Sequence, residues 1–185
     1  MQTLMTTLPV VSILMGSEND LPVMEECTKV LEQLKIPFEI HVASAHRTPK
    51  RVAELATGGR ERGIRVFVAG AGGAAHLAGV IAAHTSLPVI GVPIDSSPLL
   101  GLDALLATAM MPGGVPVATV AVGKGGARNA GILAAQILAL GDASLERRLL
   151  DYRAFLGASV EKADNSVKAQ YRGRAGAGAK RKTGA

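Results

Sequence analysis

Short apolar runs alternate along the chain with longer segments in which apolar residues recur at helical spacing. The apolar runs predict buried strands, and they lie at 10–15, 38–42, 64–69, 88–92 and 117–122. The intervening segments predict helices, at about 21–34, 49–60, 77–84, 102–110 and 126–140. Such alternation indicates right-handed βαβ units and one parallel sheet. We therefore expect a three-layer α/β/α domain of about five strands, flavodoxin-like or Rossmann-like.

The two ends of the chain differ from this pattern. Residues 1–8 form a loose leader by composition, and residues 9–164 are expected to form a single α/β domain. A further amphipathic helix over 143–164 lies beyond the last strand, and its wide apolar face needs a surface to pack on. We expect it to cross a neighbouring copy in a homo-oligomer. Residues 165–185 are basic and rich in Gly, Ala and Lys, which favours a flexible tail.

Composition narrows the classes of function. The chain has a net charge of +5, but residues 168–185 carry six basic side chains and no acidic one, so residues 1–167 have a net charge of −1. A nucleic-acid partner is therefore disfavoured, and the low aromatic content of 3% argues against a base-stacking surface. The single cysteine excludes an internal disulfide, and no apolar run is long enough to span a membrane. We expect a cytoplasmic protein without a membrane partner.

Three polar or glycine-rich loops follow the first three predicted strands, at 16–20, 44–48 and 70–77. Because parallel strands end at one edge of a sheet, these loops should line a common crevice. Asp20 and Thr48 are expected to cap the helices that follow, each with a proline in the first turn. The first loop adds hydroxyl, amide and carboxylate groups beside a helix N-terminus, which favours anions.

The second loop places His46 beside Arg47. Histidine exchanges protons near neutral pH, and the arginine fork suits phosphate or carboxylate. The third loop offers backbone N–H groups and His76. Together the loops suit a small phosphorylated sugar, with the phosphate on N–H groups and Arg47, the vicinal hydroxyls on Asp20 and the reacting atom near His46. His46 and His76 lack the acidic neighbours of a known metal motif, so no metal is expected.

Residues 70–75, Gly-Ala-Gly-Gly-Ala-Ala, also match a dinucleotide-binding fingerprint, with Asp95 some way beyond the next strand. The motif stands in the third βαβ unit rather than the first, and the chain offers no second domain for a hydride acceptor. A glycine loop that lets backbone approach a planar ligand explains the same residues. A nicotinamide site is therefore the weaker interpretation.

The same loops resemble the bacterial-type branch of the AIR carboxylase family, the N5-carboxyaminoimidazole ribonucleotide mutases of purine biosynthesis. The resemblance covers about residues 10–140. Its most specific segments are Ser44-Ala45-His46-Arg47-Thr48-Pro49 and Gly70-Ala71-Gly72-Gly73-Ala74-Ala75-His76. Further matches are Met15-Gly16-Ser17 with Asp20-Leu21-Pro22, Leu87 to Pro93, Met111 to Val117, and Asn129-Ala130-Gly131.

The resemblance implies an enzyme that moves a carboxylate from the exocyclic nitrogen to carbon 4 of an aminoimidazole ribonucleotide. It implies no cofactor, no metal and an octamer of identical subunits. It also implies that His46 is the general acid and base. Substrate-binding residues carried over by likeness are Ser17, Asp20, Ser44, Arg47, Ala71, Gly72 and Leu77, and further candidates are Gly16, Asn19, Ala45, Gly73 and His76.

Two departures and two alternatives remain at this point. Asn19 stands where the family usually has serine, and Ala78 where it usually has proline. Because Asn19 can still donate hydrogen bonds, we expect altered affinity rather than loss of activity. Within the family, a carboxylase that uses free carbon dioxide is the alternative. Outside it, a non-catalytic nucleotide-binding module that docks RNA through its tail is the rival hypothesis.

Overall fold

The computed structural model describes residues 8–179, with side chains over 8–172. Its strands are β1 (Val11–Met15), β2 (Phe38–Val42), β3 (Val66–Gly72), β4 (Val89–Ile94) and β5 (Ala118–Thr119). Its helices are α1 (Leu21–Gln33), α2 (Pro49–Thr57), α3 (Leu77–His84), α4 (Leu102–Ala109), α5 (Gly123–Ala139) and α6 (Ala143–Ala179). One 3-10 turn, Glu18–Asp20, joins β1 to α1.

The five strands form one parallel sheet in the order β2-β1-β3-β4-β5. The ladder aligns Met15 with both Val42 and Gly70, and Gly72 with Ile94. The carboxyl ends of four neighbouring strands therefore meet at one edge. The order and direction confirm the predicted flavodoxin-like fold.

Helices cover both faces of the sheet. Helices α1 and α5 pack together on one face, while α2 and α3 pack together on the other. Helix α4 shares the second face, because Thr108 and Ala78 both lie against Gly91 of β4. The central strands are buried on both faces, which is why they are continuous apolar runs in the sequence.

Several boundaries differ from the predictions. Strand β3 runs on to Gly72 because its glycines stay extended and pair with β4 as far as Ile94. Strand β5 shortens to two residues, since only Ile90 and Gly91 of β4 pair with it. Helix α5 starts at Gly123, three residues before the predicted start at 126.

The C-terminal helix is longer than predicted: α6 extends to Ala179 rather than to 164. The chain divides into two compact units, Met1–Leu145 and Glu146–Ala185. The domain predicted over 9–164 covers most of the first unit and part of the second, and its unity stays a prediction. The described part of the tail, 165–179, is helical, and the flexibility expected of 165–185 also stays a prediction.

The leader predicted over 1–8 lies outside the described residues except for Leu8, and so do residues 180–185. Within the described part of the chain, no helix is both long and apolar enough to cross a membrane.

Candidate active site

A cavity of about 330 Å³ opens at the carboxyl edge of the sheet. It brings together residues of the loops after β1, β2 and β3, as the topology predicted, and it also receives the loop after β4. Its lining consists of Gly16, Ser17, Asp20, Ser44, Ala45, His46, Arg47, Ala71, Gly72, Ala74, Leu77 and Ser96.

The first loop is held by its own side chains. Ser17 caps the 3-10 turn, where its Oγ accepts the N–H of Asn19 at 3.3 Å, and Asp20 Oδ2 accepts the N–H of Ser17 at 3.0 Å. Asp20 is the N-cap residue of α1, as predicted, but its carboxylate makes no capping hydrogen bond to that helix, because it folds back on its own turn. Asp20 is only 6% exposed and faces the cavity.

Burial raises the pKa of the Asp20 carboxyl, although the N–H groups of Ser17 and Gly16 and the charge of Arg47 pull it down. A partly desolvated carboxylate at a cavity wall is a strong acceptor for hydroxyl groups of a ligand. Its role in binding a ribose diol stays a prediction.

The second loop is a compact turn built on Ser44. The Ser44 Oγ accepts the N–H of Arg47 at 3.2 Å, and Thr48 Oγ1 accepts the N–H of Ser44 at 2.9 Å. Thr48 is the N-cap residue of α2, as predicted, but its side chain makes no capping hydrogen bond to that helix, since this hydroxyl also donates to the Ser44 carbonyl at 3.1 Å. The turn fixes the backbone from which His46 and Arg47 project.

Arg47 reaches across to the first loop. Its Nη2 donates to the Gly16 carbonyl at 2.9 Å, so the guanidinium lies near Ser17 and Asp20 while remaining exposed. The cation therefore stands at the polar end of the cavity. This end combines a permanent positive charge with the hydroxyl of Ser17, the pairing that a phosphate monoester requires.

His46 is joined to the third loop by a second histidine. His46 Nε2 lies 2.8 Å from His76 Nδ1, with the two rings in an edge-to-face arrangement at 77°. One nitrogen of this pair must donate and the other accept, so the tautomer of His46 is coupled to that of His76. His76 itself does not line the cavity, and its described contact with a lining residue is the one to His46.

The remaining wall is apolar. Its apolar residues are Ala45 from the second loop and Ala71, Ala74 and Leu77 from the third loop and the start of α3, together with Gly72. Three of the further candidates lie outside the cavity lining: His76, Asn19, which is exposed, and Gly73, which occupies a turn at φ +58°. Across the described residues, no group of three or more His, Cys, Asp or Glu is arranged to hold a metal ion.

Sequence analysis missed two lining residues, Ala74 and Ser96. Ser96 follows β4, the neighbour of β3 in the sheet, so the topology could have placed its loop at the same edge. A lone serine in a loop carries no motif, which is why it was overlooked.

Comparison with known proteins agrees with this geometry. The sequence model of the AIR carboxylase family matches residues 10–158. The chain belongs to the AIR carboxylase family.

The relatives it resembles carry one name. The chain is 55% identical over 145 residues to the N5-carboxyaminoimidazole ribonucleotide mutase of Bacillus subtilis, covering 78% of this chain and 90% of the relative. It is 53% identical over 146 residues to the mutase of the same name from Thermotoga maritima, covering 79% and 84%. Among solved structures it is similar to Treponema denticola PurE, with a TM-score of 0.77 at 26% identity over 86% of this chain and 99% of that one.

Proposed function

We propose that this chain is an N5-carboxyaminoimidazole ribonucleotide mutase of purine biosynthesis. The observation that carries the proposal is the meeting of His46, Arg47 and Asp20 around one cavity, in a chain about half identical to proteins of that name. Enzymatic activity is thereby favoured over a non-catalytic binding module, because the relatives are named as mutases.

The cavity accommodates the nucleotide from its polar to its apolar end. Arg47 and Ser17 bind the phosphate, and Asp20 accepts from the ribose hydroxyls. Ser44 and the apolar wall of Ala71, Gly72 and Leu77 enclose the imidazole and its carboxylate. Of the further candidates, Gly16 and Ala45 line the same cavity.

The reaction breaks one carbon–nitrogen bond, forms one carbon–carbon bond and moves a proton at each of the two atoms. The bond between the exocyclic nitrogen and its carboxylate breaks to release carbon dioxide, and that nitrogen gains a proton. Carbon 4 then attacks the carbon dioxide, forms the new carbon–carbon bond and loses its own proton. The proton lost by carbon 4 replaces the proton given to the exocyclic nitrogen, so one acid–base group suffices. The reaction needs no oxidant, metal or cofactor.

His46 is the group placed for both transfers. Because Nε2 is paired with His76 at 2.8 Å, Nδ1 is the His46 nitrogen left for the substrate among its described contacts. His76 positions the ring through this contact. General acid–base catalysis of this kind contributes about 10²–10⁴-fold to rate.

The released carbon dioxide must stay in the site until it is recaptured. Ala71, Ala74 and Leu77 form a wall with small side chains and no charge, beside the backbone of Gly72. Such a wall excludes water and leaves little room for diffusion away from carbon 4.

A homo-oligomer, expected as an octamer, is part of the proposal. Leu102, Leu106 and Met110 form one stripe along α4 and are 55%, 52% and 78% exposed, and Leu99 and Leu100 before the helix are 62% and 80% exposed. An apolar stripe of this size on a water-exposed surface calls for a protein partner. A second copy of the chain is that partner, and light scattering of the purified protein measures the assembly.

The decisive assay supplies N5-carboxyaminoimidazole ribonucleotide to the purified protein and follows the absorbance of the 4-carboxylated product. The family description itself names a carboxylase, so the same assay is run with aminoimidazole ribonucleotide and bicarbonate. Turnover without bicarbonate supports the mutase. Strict dependence on bicarbonate assigns the chain to the carboxylases instead. We also propose a cytoplasmic location, where the nucleotide substrate is available.

A further inference from the structure

The loop after β4 contributes a hydroxyl that none of the expected site residues accounts for. Ser96 lines the cavity, and its side chain lies directly against Gly72. A Cβ built on Gly72 would lie only 1.9 Å from Ser96 Oγ and 3.1 Å from Ser96 Cβ. The hydroxyl therefore occupies the space that any side chain at position 72 would need, directly against the wall of the cavity.

The three hydroxyls of the cavity lining differ in their partners. Ser17 Oγ accepts the Asn19 N–H, and Ser44 Oγ accepts the Arg47 N–H. The Ser96 hydroxyl has no hydrogen-bond partner among the residues that the structure describes. It is thus the lining hydroxyl whose donor and acceptor are both available to a ligand.

The residues that line the cavity with Ser96 indicate which chemical group of a ligand its hydroxyl would bind. Ser96 lies against Gly72, and the same cavity is lined by Ala71, Ala74 and Leu77, whose side chains donate no hydrogen bond. A carboxylate placed against such a wall loses its hydration, and it needs a donor to compensate. Apart from His46, which is engaged in proton transfer, Ser44 and Ser96 are the lining hydroxyls that can supply this donor, and Ser44 Oγ already accepts the Arg47 N–H whereas Ser96 has no such partner among the described residues.

We propose that Ser96 is a specificity-determining residue whose hydroxyl donates to the carboxylate of the bound nucleotide. The proposal rests on the proposed function. It makes Gly72 and Ser96 a matched pair, in which the missing side chain of one creates the place for the hydroxyl of the other.

The test compares Ser96→Ala with the wild-type full-length protein by calorimetric titration of two nucleotides. One is 4-carboxy-5-aminoimidazole ribonucleotide, and the other is the same nucleotide without the carboxylate. Loss of a hydrogen bond to a charged group should weaken binding of the carboxylated nucleotide about 10-fold or more. Binding of the uncarboxylated nucleotide should change less than about twofold.

Two further variants control for structure. Ser97→Ala removes the neighbouring hydroxyl, which accepts the Leu99 N–H at 3.1 Å and lies outside the cavity lining, and it should leave the selectivity between the nucleotides unchanged. Ser96→Thr keeps the hydroxyl and should recover most of the selectivity lost in Ser96→Ala.

Equal weakening of both nucleotides, no weakening, or the same change in Ser97→Ala would overturn the assignment of Ser96. If Ser96→Ala keeps the wild-type selectivity and the wild type converts the substrate, the Ser96 inference is overturned while the proposed function stands. If the wild type neither converts nor binds the carboxylated nucleotide, the proposed function fails and the inference falls with it.

Discussion

Replacing Arg47 by alanine separates nucleotide binding from chemistry. The guanidinium is exposed, and its described hydrogen bond is the one from Nη2 to the Gly16 carbonyl at 2.9 Å. Losing that bond at an exposed position costs less than about 1 kcal/mol of folding free energy. The Arg47 backbone N–H keeps its bond to Ser44 Oγ, so the turn that carries His46 stays in place.

The larger effect falls on the substrate. Hydrogen bonds from a guanidinium to a phosphate contribute about 1.5–3 kcal/mol, which corresponds to about 10- to 100-fold in affinity. Because the phosphate does not react, this binding energy is shared by the ground state and the transition state. We expect KM to rise about 10- to 100-fold while kcat stays within about threefold.

Steady-state kinetics with N5-carboxyaminoimidazole ribonucleotide measures both constants. Arg47→Lys should give an intermediate KM, because it keeps the charge but loses the two-pronged donor. Arg51→Ala is the matched control, since Arg51 is an exposed cation of α2 outside the cavity lining. An unchanged KM in Arg47→Ala, or an equal rise in Arg51→Ala, would refute the phosphate contact.

Three other substitutions test the site and its support. His46→Asn should lower kcat about 10²–10⁴-fold with nucleotide affinity in calorimetry little changed, and full activity would exclude the proton role. Asp20→Asn should raise KM. It should also change the pH dependence of stability, because burial raises the folded-state pKa of Asp20 above its ordinary value. The free energy of unfolding of the wild type relative to the variant should therefore fall as the pH rises from the ordinary carboxyl pKa to the raised one. Denaturant titrations at several pH values measure this difference, and a difference that rises with pH contradicts it. Gly70→Ala should lower the free energy of unfolding by about 1–3 kcal/mol, because its Cβ would lie 2.3 Å from Met24 Sδ in the core, whereas Gly113→Ala, with open space around it, should be neutral; equal stabilities would contradict the packing.

The layers and strand order follow from features that a single sequence displays. Strand β2 has the predicted bounds, 38–42, because a proline precedes it and a polar loop follows it. Strand β5 does not, because the apolar run over 117–122 continues past the two residues that pair with β4. A run of apolar residues records burial, whereas a strand also requires a neighbour at hydrogen-bonding distance.

The helix caps show a different limit. Thr48 and Asp20 stand where a capping residue belongs, yet both side chains bond to backbone groups earlier in the chain. Thr48 is drawn to Ser44, four residues before it, because the intervening turn brings the Ser44 N–H within reach. A local pattern names the residues that can cap, but the geometry of the preceding turn decides which N–H they meet.

In the site, topology predicted the edge and the resemblance predicted the residues, but neither gave the contacts between distant loops. His46 and His76 are 30 positions apart, and their 2.8 Å contact depends on how the loops after β2 and β3 fold over β1, which lies between them. Ser96 was missed for the same reason: its importance comes from Gly72, which belongs to another strand.

The glycines of residues 70–75 show how a fingerprint can arise without the ligand it suggests. Gly70 is small because Met24 of α1 packs against it, and Gly72 is small because Ser96 lies in the space of its missing side chain. Gly73 takes a left-handed turn at φ +58°, which glycine adopts without strain. Each glycine thus answers a separate steric requirement of this fold, and a bound pyrophosphate is not needed to explain any of them. The spacing that favours a nicotinamide site therefore carries no weight for it here, and of the three glycines it is Gly72 that lines the cavity in which the imidazole is proposed to lie.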